Sequence, residues 1–214
     1  MCGIVAVSGT PEAAKLAYLG LHALQHRGQE AAGIVAFDAR EGVAHRVREA
    51  GLISEIFTEE KLAGLPGEVA VGHIRYSTAG GAGLKNAQPI RVSYREGHLA
   101  LVHNGNLTNA GELRTRLVNE GALFQSTIDS EVVVHLIARS HREGVERQID
   151  DALSQLQGAF SVLITVGDTL YAARDPWGYR PLVIGHLPGG GLVLASESCA
   201  LDIMGARYLR DVEP

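Results

Sequence analysis

A cysteine at position 2, directly behind the initiator methionine, can do chemistry that an internal cysteine cannot. Once Met1 is removed, Cys2 carries both a thiol and a free α-amine. The amine titrates at roughly 7.7–8.0 and the thiol at about 8.5. The amine can therefore take the thiol proton, directly or through water, and nucleophile and general base then belong to one residue. Cys2 is small enough for removal of Met1, and Gly3 does not obstruct it. A retained Met1 would turn the amine into an amide nitrogen with no basicity. Taken alone, Cys2 reads first as a small apolar residue opening a strand.

The elements around it are legible in outline. Residues 3–8 form an apolar strand, and apolar positions 14, 17, 18, 21 and 24 mark a helix over 11–25 behind Thr10-Pro11. Strands are expected over 33–38, 43–50, 69–74 and 98–103, the last ending at Asn104-Gly105-Asn106. A glycine-rich loop covers 79–84. Helices follow over 109–120, 130–142 and 147–156, capped by Thr108 or Asn109 and by Asp129 or Ser130. Strands over 159–166, 169–174, 181–186 and 191–196, a short helix near 199–205 and a strand-like tail that reads as cut short complete the chain. Hairpin-linked strands imply antiparallel sheets. The expectation is one α+β domain over 1–214, a four-layer αββα sandwich of two stacked sheets flanked by helices.

Five motifs then carry a resemblance. Met1-Cys2-Gly3-Ile4-Val5, His26-Arg27-Gly28-Gln29-Glu30, Gly72-His73-Ile74-Arg75-Tyr76-Ser77-Thr78, His103-Asn104-Gly105-Asn106-Leu107 and Asp129-Ser130-Glu131 resemble the class II, N-terminal-nucleophile glutamine amidotransferases in order and spacing. The resemblance implies hydrolysis of glutamine to glutamate and ammonia through a thioester on Cys2. It implies an oxyanion hole at Asn104 and Gly105, which suits a side-chain amide beside a backbone that lacks a Cβ. It implies that Arg75 grips the α-carboxylate of glutamine, a fork that a guanidinium supplies. Asp129 would take the α-ammonium and Thr78 would add a hydroxyl contact. Gly28 would lie near the site and Tyr76 in the loop that closes over glutamine. Arg27 reads as an anchoring residue and His73 as a hydrogen-bonded structural histidine. Each has a plainer reading: a turn for Asn104-Gly105, a strand-end charge for Arg75, a helix cap for Asp129.

Arg174-Asp175-Pro176-Trp177-Gly178-Tyr179-Arg180-Pro181-Leu182 and Ser196-Glu197-Ser198-Cys199-Ala200-Leu201-Asp202 are most similar to the amidophosphoribosyltransferase branch of that family. That branch passes the ammonia to phosphoribosyl pyrophosphate, in the first step of purine synthesis. Its transferase signature, paired acidic residues before a Gly-Thr-Thr-like loop, is not found. The expectation is a glutaminase domain whose phosphoribosyltransferase partner lies outside this chain, joined C-terminally, in a protein expected to be a homo-oligomer. No cofactor or metal is expected within these residues. Magnesium belongs to the transferase domain, and an iron–sulfur cluster is open for a longer protein. Another class II glutaminase, a different N-terminal-nucleophile hydrolase and a non-catalytic binding domain of the same fold remain as alternatives.

Composition excludes other classes. A net charge of -5 without a basic stretch argues against nucleic acid. No long apolar run predicts a membrane span or signal peptide, which points to the cytoplasm. Two cysteines, Cys2 and Cys199, are too few for a disulfide framework or a thiolate metal centre. His22 and His26 lack a third ligand, and Gly80–Gly83 and Gly189–Gly191 lack the Lys-Ser/Thr ending of a phosphate loop.

Overall fold

A computed structural model describes residues 1–76 and 83–214. The apolar opening run folds into strand β1 (Gly3–Ser8). Helix α1 (Ala13–Ala23) follows and ends in a tight turn over Gln25–Arg27. It buries Ala13, Ala14, Ala17 and Leu21, the stripe that helical periodicity sets on one face. Strands β2 (Ala31–Asp38) and β3 (Val43–Ala50) make a hairpin. Two short helices, α2 (Ile53–Ile56) and α3 (Glu59–Ala63), lead to β4 (Val69–Arg75). Next come β5 (Ile90–Tyr94), β6 (Gly97–Leu107), α4 (Ala110–Asn119), α5 (Glu131–Arg139) and α6 (Val145–Leu153). The chain closes with β7 (Gly158–Val166), β8 (Thr169–Arg174), β9 (Val183–His186), β10 (Leu192–Ala195), α7 (Ser198–Ile203) and β11 (Arg207–Asp211).

The described strands form two antiparallel sheets, ordered β11-β9-β10-β1-β4-β2-β3 and β5-β6-β7-β8. Ile4, Ala6, Val35 and Val71 of the first sheet pack on Ala100, Val102 and Leu163 of the second. The opposite face of the first sheet lies under α1 and α7, and that of the second under α4, α5 and α6. This is the αββα sandwich, with three apolar layers between its four.

Two features of the sheets position the site. β1 is central, between β10 and β4, and its register sets Gly3 opposite Ile74. Cys2 therefore enters at the Arg75 end of β4. Strand β6 does not end at His103. It runs through Asn104-Gly105 to Leu107 and stays paired with β7 throughout, so that dipeptide is strand and not a turn. β5, which the sequence reading missed, pairs with β6 only as far as Leu101. Beyond Leu101 the outer edge of β6 is left to side chains from elsewhere.

Local differences have local causes. Asn109 stands at the start of α4 without capping it, because its side chain ties Gln155 O and Gln157 N (2.9 and 3.0 Å). Ser130 precedes α5 likewise uncapping, its hydroxyl engaged with His103. The tail does form a strand, β11, on the outside of β9.

Candidate functional site

Cys2 is half-buried at the mouth of β1, its Sγ 3.5 Å from Tyr76 O. Burial pushes the thiol above its ordinary range, and the neighbouring Arg75 charge pulls partly against it. The pocket at Sγ is also lined by His73, Arg75, Tyr76, Gly105 and Asp129, and holds about 30 Å³.

The carbonyl of Cys2 is clasped by two side chains, Arg27 and Asn104. Arg27 Nε donates to Cys2 O at 2.8 Å, while Arg27 Nη1 pairs with Glu197. Glu197 also bonds His26 Nε2 at 3.1 Å. With its amide set to satisfy both ends, Asn104 donates Nδ2 to Cys2 O and accepts from Arg27 Nη2, each at 3.2 Å. Arg27 and Asn104 are both buried. A guanidinium suits this role because its rigid fork serves three acceptors in one plane. Ser196 continues the brace: its hydroxyl accepts from Ile4 N and its N–H donates to Ile4 O, both at 3.0 Å.

The open edge of β6 supplies the other side. Along a strand, alternate N–H groups point the same way. His103 N donates to Gln88 Oε1 at 2.7 Å, and Leu107 N donates to Asp129 Oδ2 at 2.9 Å. Gly105 lies midway between them, so its N–H faces the same edge, where Gln88 and Asp129 line the pocket. A Cβ at Gly105 would meet Ala159 O at 2.1 Å and His103 Nε2 at 2.7 Å. Only glycine fits there.

Asp129 accepts from Leu107 N and Ser130 N and has the His103 ring beside it, Nδ1 3.6 Å away. Burial alone would raise its carboxyl, but His103 and the two N–H groups hold it down at about 2. It stays ionised at neutral pH. Arg75 is 4% exposed; its Nη1 donates to Asn86 O and its Nε lies 3.7 Å from Glu30. Asn86 is pinned in turn to Thr127, by bonds of 2.9 and 3.0 Å. A guanidinium cation and a carboxylate anion thus share the pocket with the thiol.

Comparison with known proteins now decides the family. The model of the glutamine amidotransferase domain family matches residues 73–202. The chain belongs to that family. Among curated relatives, amidophosphoribosyltransferase 1 (chloroplastic) of Arabidopsis thaliana is 51% identical over 213 residues, covering all of this chain and 38% of its own length. Amidophosphoribosyltransferase of Bacillus subtilis is 49% identical, with 100% and 44% covered. A solved glutamine phosphoribosylpyrophosphate amidotransferase of B. subtilis, in complex with ADP and GMP, superposes with a TM-score of 0.93 at 45% identity, over 100% of this chain and 46% of that one. The amidotransferase chain spans less than half the length of these relatives.

Of the residues singled out in the amidotransferase sequence, Cys2, Arg75, Tyr76, Gly105 and Asp129 line one pocket. Asn104 is not among its lining residues but bonds Cys2 O beside it. Gly28 instead backs Arg75: a Cβ there would meet Arg75 O at 2.5 Å. Thr78 lies outside the described residues. His73 is buried as expected; among the described residues its ring has no partner of good hydrogen-bond geometry, the His103 main chain giving only a weak one. Burial, with His103 and Arg75 adding, lowers it to about 3. Sequence reasoning missed Gln88, Asn86 and Glu197. The polar pair flanking Ala87 just before Pro89 was a usable signal for the first two; Glu197 stood in a family-like stretch, but nothing local gave it a role. Cys199 packs by Ala23 O and Glu197 away from the pocket. Among the described residues, Asp38, Glu41 and His45 alone bring three metal-capable atoms within 4.8 Å of one another. They sit at the end of β2 remote from Arg75.

Proposed function

We propose that this chain hydrolyses the side-chain amide of glutamine, with Cys2 as nucleophile after loss of Met1. The observation that carries the reading is the single pocket holding the Cys2 thiol, the Arg75 cation and the Asp129 anion. Free glutamine presents a carboxylate, an ammonium and a carboxamide, and the three groups answer them in kind. The α-amine of Cys2 takes the thiol proton, and Sγ attacks the amide carbon. Negative charge then gathers on the amide oxygen. The Gly105 N–H and the second hydrogen of Asn104 Nδ2 receive it. Collapse expels ammonia, the amine returning the proton, and water hydrolyses the thioester to glutamate. Tyr76 lines the pocket and would meet the bound substrate, and Thr78 would add a hydroxyl contact to its carboxylate. A free space of about 30 Å³ is room for about one water, so the walls must part for glutamine to enter.

The names of the relatives support a finer reading. Ammonia passes to a phosphoribosyltransferase domain in a longer, oligomeric protein and attacks phosphoribosyl pyrophosphate to give 5-phosphoribosylamine. The proposal asks of the compartment only that it keep Cys2 and Cys199 as free thiols; the cytoplasm meets this.

The test is ammonia release from glutamine by protein whose N-terminal cysteine has been verified by mass spectrometry. Turnover is expected, together with labelling of Cys2 by a glutamine-like electrophile. Cys2→Ser should retain glutamine binding and lose turnover by at least about a thousandfold. Absence of both turnover and labelling would sink the reading.

A further inference from the structure

β3 and β5 are edge strands of the two sheets, on the same side of the sandwich. Arg91 Nη1 crosses between them to Ala44 O. Along this seam runs a cavity of about 400 Å³, within the range of small-ligand sites. Arg46 and Arg48 of β3, Lys85, and Arg91 of β5 all line it. Three separate segments thus bring four cations to one cavity.

Among the described residues none of the four makes an ion pair. The chain has 24 acidic residues against 19 lysines and arginines, so the cluster forms against a surplus of available carboxylates. The one acidic residue lining the cavity, Glu131, turns its carboxylate to Gln125 N, Ser126 N and Ser126 Oγ. Arg48 and Arg91 rest instead on neutral acceptors, Ala87 O and Ala44 O. Those contacts fix the guanidinium planes without cancelling their charge. Burial, with Arg48 and Arg91 adding, pushes the Arg46 guanidinium below its ordinary range. Like charges crowded in this way repel one another, and a multivalent anion reverses the sign of the whole arrangement. Fixed forks also lose little freedom on binding. The opposite flank, Ile90, Val92 and Val134, is apolar.

We propose that this cavity binds a phosphate-bearing small molecule, its phosphates among Arg46, Arg48, Lys85 and Arg91 and its organic part along the apolar flank. The site is separate from the Cys2 pocket, and the proposal does not depend on glutamine hydrolysis.

The test is calorimetric titration with inorganic pyrophosphate at constant ionic strength. It uses the parent protein, the Arg46→Gln/Arg91→Gln variant and a control, Arg207→Gln/Arg210→Gln, with the same charge change on exposed β11. Saturable binding is expected in parent and control. The cluster variant should bind at least about tenfold more weakly, roughly the worth of one lost charge-assisted contact. Equal weakening in both variants would reduce the effect to net charge and overturn the proposal. So would absence of saturable binding in the parent. A change of oligomeric state in the cluster variant alone, without pyrophosphate binding by the parent, would assign the cations to a protein interface instead.

Discussion

Glu197→Gln removes the anion of the clasp while keeping its shape. Arg27 is 5% exposed at its side chain and Glu197 is 34% exposed. Breaking a fully buried pair by deleting one partner costs about 3–5 kcal/mol. Solvent reaches the Glu197 carboxylate, which roughly halves that figure to about 2 kcal/mol. For a chain of this size such a loss lowers Tm by about 4–8 °C. The catalytic effect is expected to be larger than the stability effect. Arg27 would still carry its charge, but without Glu197 its fork is free to tilt, and Cys2 O and Asn104 tilt with it. A misplacement of about 1 Å at a reacting group costs about a hundredfold. Glutaminase kcat should therefore fall by about ten- to a hundredfold, with KM changed less than about threefold, since Arg75 and Asp129 do not touch the clasp. Arg27→Lys should be no better, because one ammonium cannot serve Cys2 O, Glu197 and Asn104 together. Thermal unfolding and steady-state ammonia release measure the two arms. A Glu197→Gln protein that loses stability yet keeps kcat within about twofold would refute the positioning argument and leave the clasp a plain structural contact.

His73, lowered to about 3 in the fold, titrates near 6.5 when unfolded. The unfolded chain therefore binds more protons between those values, and stability falls as pH drops through that window. From pH 8 to pH 5 the loss is about 2 kcal/mol. Urea unfolding at both pH values should record it, and a His73→Leu protein should lack that part of the slope. Gly28→Ala puts a methyl 2.5 Å from Arg75 O; the clash with main chain should cost at least about 2 kcal/mol in urea unfolding and raise KM for glutamine, and unchanged values of both would refute the close packing on Arg75. Asp129→Asn loses the charge and keeps one of the two oxygens that accept from Leu107 N and Ser130 N. KM for glutamine should rise by at least about tenfold with kcat less affected, and an unchanged KM would remove Asp129 from ammonium binding.

The sequence carried the two-period and helical patterns that set the strands and helices, because burial on one face imprints them residue by residue. It misled at Asn104-Gly105. That dipeptide favours turns, but here β7 pairs with it along its length, and a long-range partner overrides a local preference. It marked the stretch holding Glu197 but not its partner, Arg27, 170 positions away. Nothing near Glu197 in the chain encodes that meeting; the pairing of β10 with β1 does. β5 was missed for a related reason. Its alternation of Ile90, Val92 and Tyr94 with exposed Arg91 and Ser93 is real, yet five residues after a proline are too few to stand out.

The acidities in the pocket narrow the identity of the base. Burial raises the Cys2 thiol, so thiolate must be made during attack by a group that takes its proton. Effective bases titrate near the working pH. His73 at about 3 and Asp129 at about 2 are far too weak. The α-amine of a terminal Cys2, at roughly 7.7–8.0 in a free chain, is matched to the task. The same reasoning makes Met1 a strict control. A protein that retains Met1 keeps Arg75, Asp129, Asn104 and Gly105 yet lacks the α-amine beside the thiol. It should bind glutamine and fail to release ammonia. Turnover by homogeneous Met1-bearing protein would reassign the base to His103, which also lines the pocket, or to water.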